Sequence, residues 1–581
     1  MTSASDLLAV ATSAHRQGDA EGAERIYWKI LEQNPLEPSA LHLLGVLMSE
    51  RGDYANALPL LSLSLRFHPH PEDSAAWVCN LGLAFERAGD VKQAFECFRE
   101  AVRLDKRYSE ALVRFGRRLC EAESPTAGLE AFQTAAQSDP ASLLAWFHYG
   151  VTAMVARDFE SAYRAFQRAT QLDPRSYESW NNLGDLEAAQ GKPEEAIACY
   201  RRALEADPRY IQARYNLALI LQNAGRLAEA ESEYGTLLIF DPHHADTLNN
   251  LGAIRLSQNR LAEAIGILEK SAAAHPTHVD SRWNLGLAHL AMGNYARGWQ
   301  GYEARLLQPA FPKREFRIPR WTGEYPTDRA IHIWAEQGLG DTIQFLRYLP
   351  ILTARGARVT LEVQDRLLSL LPGLARRKGD VPADTDFHCP LMSLPAYFEG
   401  IPDIWNPFAT PAPPNLPLPG LRVGVCWGAN PEHVKAAHRS MPFAALARLG
   451  EASGCSFVAL QRGPQLAEIE QAGSGWKPLC LESEEGTVAD LAAMISTLDL
   501  VISVDTMVLH LAATLGKPTW AMLPFAADWR WGVDRPDSPW YPTLKLFRQP
   551  SPGEWTPVVD EVQAALGSFV EVSSKSAAAS R

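Results

Sequence analysis

Small residues recur through the first half of the chain at a nearly constant interval, and this period restricts the fold more than any other feature. They stand at Ala11, Gly45, Gly82, Gly116, Gly150, Gly184, Ala218, Gly252 and Gly286, 34 residues apart except for one interval of 37 that contains His68-Pro69-His70-Pro71. A second small residue follows each after 12 positions: Ala23, Ala57, Ala94, Gly128, Ala162, Ala196, Ala230, Ala264 and Gly298. Proline closes most units, at Pro35, Pro69, Pro140, Pro174, Pro208, Pro242 and Pro276. Such a unit holds two helices and two turns. The small residues let the helices approach, and the proline, unable to continue a helix, marks where the next unit starts. A lone helix pair cannot bury its apolar stripe, so nine pairs over 5–307 must stack into a superhelix with a long groove.

The period, the Leu-Gly pairs and the closing proline resemble tetratricopeptide repeats. Asn80, Asn182, Asn216, Asn250 and Asn284 each lie two residues before the small residue of the first helix, the helix that lines the concave face in those repeats. This ladder is similar to the protein-binding groove of eukaryotic O-GlcNAc transferase, where asparagines grip an extended peptide. An amide offers both a donor and an acceptor and can read main chain irrespective of sequence. The resemblance implies that these five residues hold an acceptor protein. The plainer alternative is that asparagine suits a solvated helix face.

The formal net charge of −13 over 581 residues argues against nucleic acid as a partner, since phosphate backbones need a basic face. Eight scattered cysteines, without a Cys-x-x-Cys pair or histidines at metal spacing, read as reduced thiols. No leader-like segment opens the chain, and no apolar run approaches the ~20 residues that span a bilayer. The expectation is a cytoplasmic protein with no transmembrane segment.

Beyond the repeats the pattern changes. The proline- and arginine-rich segment 308–327 reads as a linker. Strands are expected at Ala330–Ala335 and Arg358–Val363, with a helix from about Thr342 to Arg355, in a Rossmann-like half over 328–401. Seven prolines make 402–420 an extended hinge. A second half over 421–570 has strands at Leu421–Cys426, Ser456–Gln461, Leu498–Ser503 and Thr519–Leu523, with helices near 441–452, 487–497 and 507–515. The tail 571–581, small and polar, is expected to be disordered. The fold class is therefore an all-α superhelix followed by an α/β, GT-B-like domain of two Rossmann-like halves.

Ligands of open α/β sheets bind beyond the carboxyl ends of the strands, and three loops qualify. Gly338-Leu339-Gly340-Asp341 allows a tight turn, with Asp341 at a helix start, where it is also an ordinary cap. Trp427-Gly428-Ala429-Asn430-Pro431 leads to His433, Lys435, His438 and Arg439, cationic groups suited to a diphosphate or simply to solvent. Ser503-Val504-Asp505-Thr506 opens a helix carrying His510, and a helix start favours phosphate. Asp384-Thr385-Asp386 spells the Asp-x-Asp of some metal-dependent transferases but lies in an unpatterned approach to a strand. Trp529, Trp531, Trp540 and Tyr541 fit core packing better than base stacking.

Taken together, Gly-Leu-Gly-Asp-Thr-Ile-Gln-Phe, Trp-Gly-x-Asn-Pro-x-His…Arg-Ser, Ser-Val-Asp-Thr-x-x-x-His-Leu-Ala and Asp528-Trp529-Arg530-Trp531…Trp540-Tyr541-Pro542 resemble the bacterial tetratricopeptide-repeat glycosyltransferases. Their catalytic part is similar to the ADP-heptose:lipopolysaccharide heptosyltransferases. The resemblance implies that Asp341 is the general base and that Gly338, Gly340, Asn430, Arg439, Gln461, Asp505, Thr506 and His510 bind a nucleotide-sugar donor. It implies inverting, metal-independent transfer without a cofactor, with a protein acceptor such as flagellin. Met507 departs from the glycine usual in heptosyltransferases and puts ADP-heptose itself in question. Two other functions stay open: transfer to lipopolysaccharide or another surface glycan, and a non-enzymatic scaffold.

Overall fold

The computed structural model describes residues 4–70, 74–431, 436–473, 475–480 and 486–579. The chain divides into two compact units, Met1–Pro242 and His243–Arg581. The first consists of helix pairs from Ala4–Arg16 with Ala20–Gln33 through Ile211–Asn223 with Leu227–Phe240. Each first-helix glycine receives the bulky side chain sixteen positions later. A Cβ on Gly150 would lie 2.8 Å from the Phe166 ring, and one on Gly184 2.6 Å from Tyr200. The second small residue of each pair, such as Ala162 or Ala196, is fully buried.

The sequence places the end of the repeats at 307, but the second unit begins 64 residues earlier, at His243. It takes in two helix pairs, Ala245–Ser257 with Leu261–Ala274 and Val279–Ala291 with Tyr295–Tyr302. The reason is apolar continuity: Leu290, Trp299 and Tyr302 share one core with Ile331, Ile333 and Phe345 of the α/β part. The turn inside a pair needs a left-handed residue, which Gly225 and Gly293 supply. The eighth pair has Asn259 there, at φ 58°, and the side chain so gained donates to the Phe525 carbonyl at 2.7 Å.

Two parallel sheets follow. The first comprises β1 (Ala330–Trp334), β2 (Arg358–Glu362), β3 (Ala375–Arg376) and β4 (Phe387–Pro390), in the order β3-β2-β1-β4. The second comprises β5 (Leu421–Cys426), β6 (Cys455–Ala459), β7 (Leu500–Val504), β8 (Thr519–Leu523) and β9 (Leu544–Arg548), in the order β6-β5-β7-β8-β9. Successive residues of β7 serve opposite faces. Val501 looks into the core shared with the first sheet, and Ile502 into a second core closed by Val558, Val559 and Val562.

Three segments differ from expectation. The linker 308–327 is partly structural, for the Trp321 N–H donates to the His388 carbonyl at 2.8 Å and buries its indole beside β4. The hinge 402–420 is irregular, yet Ile404, Trp405 and Phe408 pack onto the core, so it is a strap rather than a free tether. In place of a disordered tail, the helix Thr556–Ala579 continues through 571–579, since its alanines favour helix. Among the described residues, no helix is long and apolar enough to cross a membrane.

Candidate active site

Strand order fixes where a crevice can open. In the first sheet the chain reverses direction between β1 and β4, and in the second between β5 and β7; ligand crevices form outside the strand ends at such points. The Gly338–Asp341 loop leaves β1, the Trp427 loop leaves β5 and the Asp505 loop leaves β7, so all three loops singled out in the sequence stand at these positions.

The loops of the two sheets touch. A Cβ on Gly340 would lie 2.7 Å from His510 Cδ2, so only glycine lets the helix Leu339–Phe345 approach the helix Met507–Thr514 this closely. Gly340→Ala is expected to force the loops apart at a cost of about 1–3 kcal/mol. A chemical-denaturation curve superimposable on that of the wild type would refute the close packing.

Asp341 caps its own helix, one carboxylate oxygen accepting the Gly338 N–H at 2.9 Å. Its other oxygen is bound by Arg530. From Arg530 an alternating row of charge crosses the crevice. Arg530 binds Asp528 at 2.6 Å, Asp528 meets Arg439 at 3.4 Å, and Arg439 lies 3.7 Å from Asp505. His510 Nε2 ends the row 3.8 Å from Asp505, while its Nδ1 lies 3.0 Å from the Tyr541 hydroxyl.

Burial governs the protonation of this row. It pushes the Asp505 carboxyl up, against the pull of Arg439. Burial, reinforced by Arg530, holds the His510 imidazole well below its usual range and therefore neutral near pH 7. Asp528 is also desolvated, but Arg530 and Arg439 outweigh that and keep it down. Asp528 and Asp341 together hold Arg530 charged in spite of its burial. Three carboxyl and two guanidinium groups thus line a partly buried crevice, where an incoming anion meets cations already in place.

The remaining expected residues fall into different roles. Gln461 is buried and saturated: its Oε1 accepts the Gly428 N–H at 2.8 Å and the Trp427 N–H at 3.2 Å, so it shapes the loop. The Thr506 hydroxyl lies 3.1 Å from that of Ser503. Asn430 is exposed at the end of its loop, and His433 and Lys435 lie outside the described residues. Asp384 pairs with Arg358, and Asp386 accepts the Ala330 N–H at 2.7 Å, which puts the Asp-x-Asp at the opposite, N-terminal edge of the first sheet.

The aromatic group is packing. Trp529, Trp531, Trp540 and Tyr541 are buried, and Trp529 meets Trp299 of the last repeat edge-on at 5.2 Å. Arg530, Asp528 and Gln344 were not expected as site residues, although the Asp-Trp-Arg-Trp motif that carries two of them was visible. In the groove positions, the half-buried amides are linked to neighbours: Asn216 donates to Asn181 at 3.1 Å and Asp185 at 2.9 Å, and Asn284 to Asn249 at 2.9 Å. Asn80 lies 3.0 Å from His42, Asn182 accepts from Asn181 at 3.5 Å, and Asn250 accepts from Asn249 at 3.3 Å.

Comparison with known proteins bears on both parts. Tetratricopeptide-repeat sequences match over residues 50–109, 113–177, 150–211, 181–250, 215–278 and 249–314. Glycosyltransferase family 9 (heptosyltransferase) matches over 477–527, the stretch that carries β7, the Asp505 loop, the His510 helix and β8. The chain joins tetratricopeptide repeats to a glycosyltransferase-type domain. Protein FlbA of Caulobacter vibrioides is 28% identical over 327 residues, 48% of this chain and 54% of FlbA, so the chain spans about half the length of this relative. Among solved structures, MamA is 21% identical with a TM-score of 0.25, covering 28% of this chain and 94% of its own. YrrB, described as a TPR protein with an unusual peptide-binding site, is 23% identical with a TM-score of 0.28, covering 32% and 95%. The C-terminal part of a TPR repeat-containing protein from Cytophaga hutchinsonii is 15% identical with a TM-score of 0.34, covering 42% and 99%.

Proposed function

We propose that the protein moves a sugar from a nucleotide-sugar donor to a hydroxyl of an acceptor protein, which the repeats hold. The observation that carries this reading is the row of charge from Asp341 to Asp505, built at the facing switch points of two parallel sheets. Asp341 takes the proton of the acceptor hydroxyl as its oxygen attacks the anomeric carbon. The bond from that carbon to the diphosphate breaks, and the nucleoside diphosphate leaves with the electron pair, its charge met by Arg439 and the start of the Asp505 helix. Such single displacement inverts the anomeric centre, and in this reading guanidinium groups rather than a metal balance the phosphates.

The repeats support a macromolecular acceptor, and flagellin is the first to assay. The family 9 match favours a second acceptor class, a surface glycan, although it covers the donor half rather than the acceptor side. Two measurements separate these readings. Full-length protein is melted with UDP, GDP, ADP, CMP and their sugars; a ligand at ~100 times its Kd should add about 2.7 kcal/mol to the stability of the unit that binds it. The donor so found is then supplied with flagellin, and intact mass is read for a sugar increment. A stabilising donor with modification of isolated lipopolysaccharide only would replace protein by glycan as acceptor. No stabilisation by any nucleotide at millimolar concentration would leave the scaffold reading.

A further inference from the structure

Both oxygens of Asp341 are occupied, one by the Gly338 N–H and one by Arg530. A carboxylate engaged by a guanidinium is a poor proton acceptor, so the reaction read above needs Arg530 to change partners. Its surroundings are suited to that exchange. The Arg530 Nε donates to Gln344 Oε1 at 2.7 Å, one terminal nitrogen holds Asp528 at 2.6 Å, and the guanidinium lies over the Trp529 ring, 4.5 Å from its centroid. These three contacts fix the plane and pivot of the group, leaving only the nitrogen on Asp341 to be reassigned. The Arg530 side chain is 7% exposed, whereas that of Asp341 is 22% exposed, so the pair opens to the crevice on the carboxylate side. Beside it, the fully buried Gln344 amide keeps an Nε2 without a partner among the described residues, an unmet donor at the same place.

Resting on the transferase reading, we infer that Arg530 is a catalytic residue that passes from Asp341 to the donor's diphosphate, so that Asp341 is released as a base only when the donor is bound. The arriving diphosphate brings at least two negative charges into a crevice whose cations are already paired with carboxylates, and it competes with Asp341, the more exposed member of its pair, for Arg530. Asp528 and Gln344 keep the guanidinium in place while one of its nitrogens changes acceptor. The consequence is an ordered reaction. Without donor the base is masked, and bound acceptor cannot be deprotonated.

The test is direct binding of ADP, UDP, GDP and inorganic pyrophosphate, measured by calorimetry on full-length wild type, Asp341→Asn, Arg530→Gln and the double variant. Asparagine keeps an oxygen for the Gly338 N–H but no longer competes for Arg530, so Asp341→Asn should bind the preferred diphosphate about tenfold more tightly. Arg530→Gln should bind about tenfold less tightly, and in that background Asp341→Asn should bring no gain. Unchanged or weaker binding by Asp341→Asn, in a wild type that does bind, overturns the exchange and makes the ion pair purely structural. If Arg530→Gln fails to fold, the Asp341→Asn arm alone decides. Binding of none of the four ligands to the wild type overturns the exchange, and the transferase reading falls with it if CMP does not bind either.

Discussion

Asp341→Asn is expected to lower the rate of sugar transfer by about 10²–10⁴-fold, the range a positioned general base contributes. The substitution is chosen because it alters the chemistry with little change of structure. Asparagine still accepts the Gly338 N–H that caps the helix Leu339–Phe345. Its amide cannot take a proton from the acceptor hydroxyl. Initial rates with saturating donor and acceptor measure the effect, and thermal melting confirms that the loop remains folded. The loss should fall on kcat rather than on acceptor KM, because the missing interaction exists only as the proton moves. A variant within about threefold of wild type would remove Asp341 from the reaction and shift attention to Asp528, the next carboxylate along the row.

The largest expected loss of stability lies behind the same loop. Arg305, at the end of the last repeat, has a side chain only 2% exposed and pairs with Glu336 at 2.7 Å and Glu303 at 2.6 Å. The Glu336 side chain is fully buried, and the segment it begins leads straight into Gly338–Asp341. Replacing Arg305 by Met strands a buried carboxylate, which costs about 3–5 kcal/mol. The melting temperature of the His243–Arg581 unit should fall by on the order of 10 °C. The pH dependence identifies the cause. Burial already raises the Glu336 carboxyl above its ordinary 4.5, with Arg305 pulling it down. Without Arg305 it rises further. A carboxyl raised in the folded state binds its proton more tightly there than in the unfolded chain, so its contribution is full below about 4.5 and is lost as pH rises through the folded value. The deficit of Arg305→Met should therefore be largest near pH 8 and shrink toward pH 5. A deficit that does not vary with pH would point to lost packing against Tyr302, whose ring lies 4.9 Å from the guanidinium.

The parts legible in the sequence are those with a local signature. The repeats announce themselves because every pair needs small residues at fixed spacing, and the strands β1, β2, β5 and β8 because they are short apolar runs bounded by turns. β3 has two residues, β4 contains His388 and Pro390, and β9 carries a lysine at its second position, so none of them shows an apolar run. Asp341, Arg439, Asp505 and His510 were marked because strand ends are where such sheets bind ligands, and the structure brings them into one row. Arg530 escaped because its partner Asp341 lies 189 residues away in the chain. Within its own motif it looks like one polar residue between two tryptophans. The reverse holds for Asp-x-Asp at 384–386, where local spelling suggests a site and the topology puts it at the wrong edge of the sheet. Gln461 is expected from the resemblance to bind the donor, and its Oε1 accepts the Trp427 and Gly428 N–H groups of the loop after β5.

The division of the chain at His243 rather than at the last repeat has a consequence for how such a protein can change. Among the described residues, the core on which the sheets are built takes no side chain from the seven helix pairs before Pro242, so repeats can be duplicated or deleted there without altering that core. The eighth and ninth pairs do not have that freedom. Trp299 and Tyr302 serve as core residues of the α/β part, and Asn259 is tied to the loop after β8. In lineages that lengthen or shorten the array, insertions and losses should therefore collect before residue 242, and the two pairs that follow should be inherited with the sheets as a block. A fragment from His243 keeps the sheets together with the helix pairs of their unit, whereas a cut at 308 would expose the apolar wall that Leu290, Trp299 and Tyr302 cover.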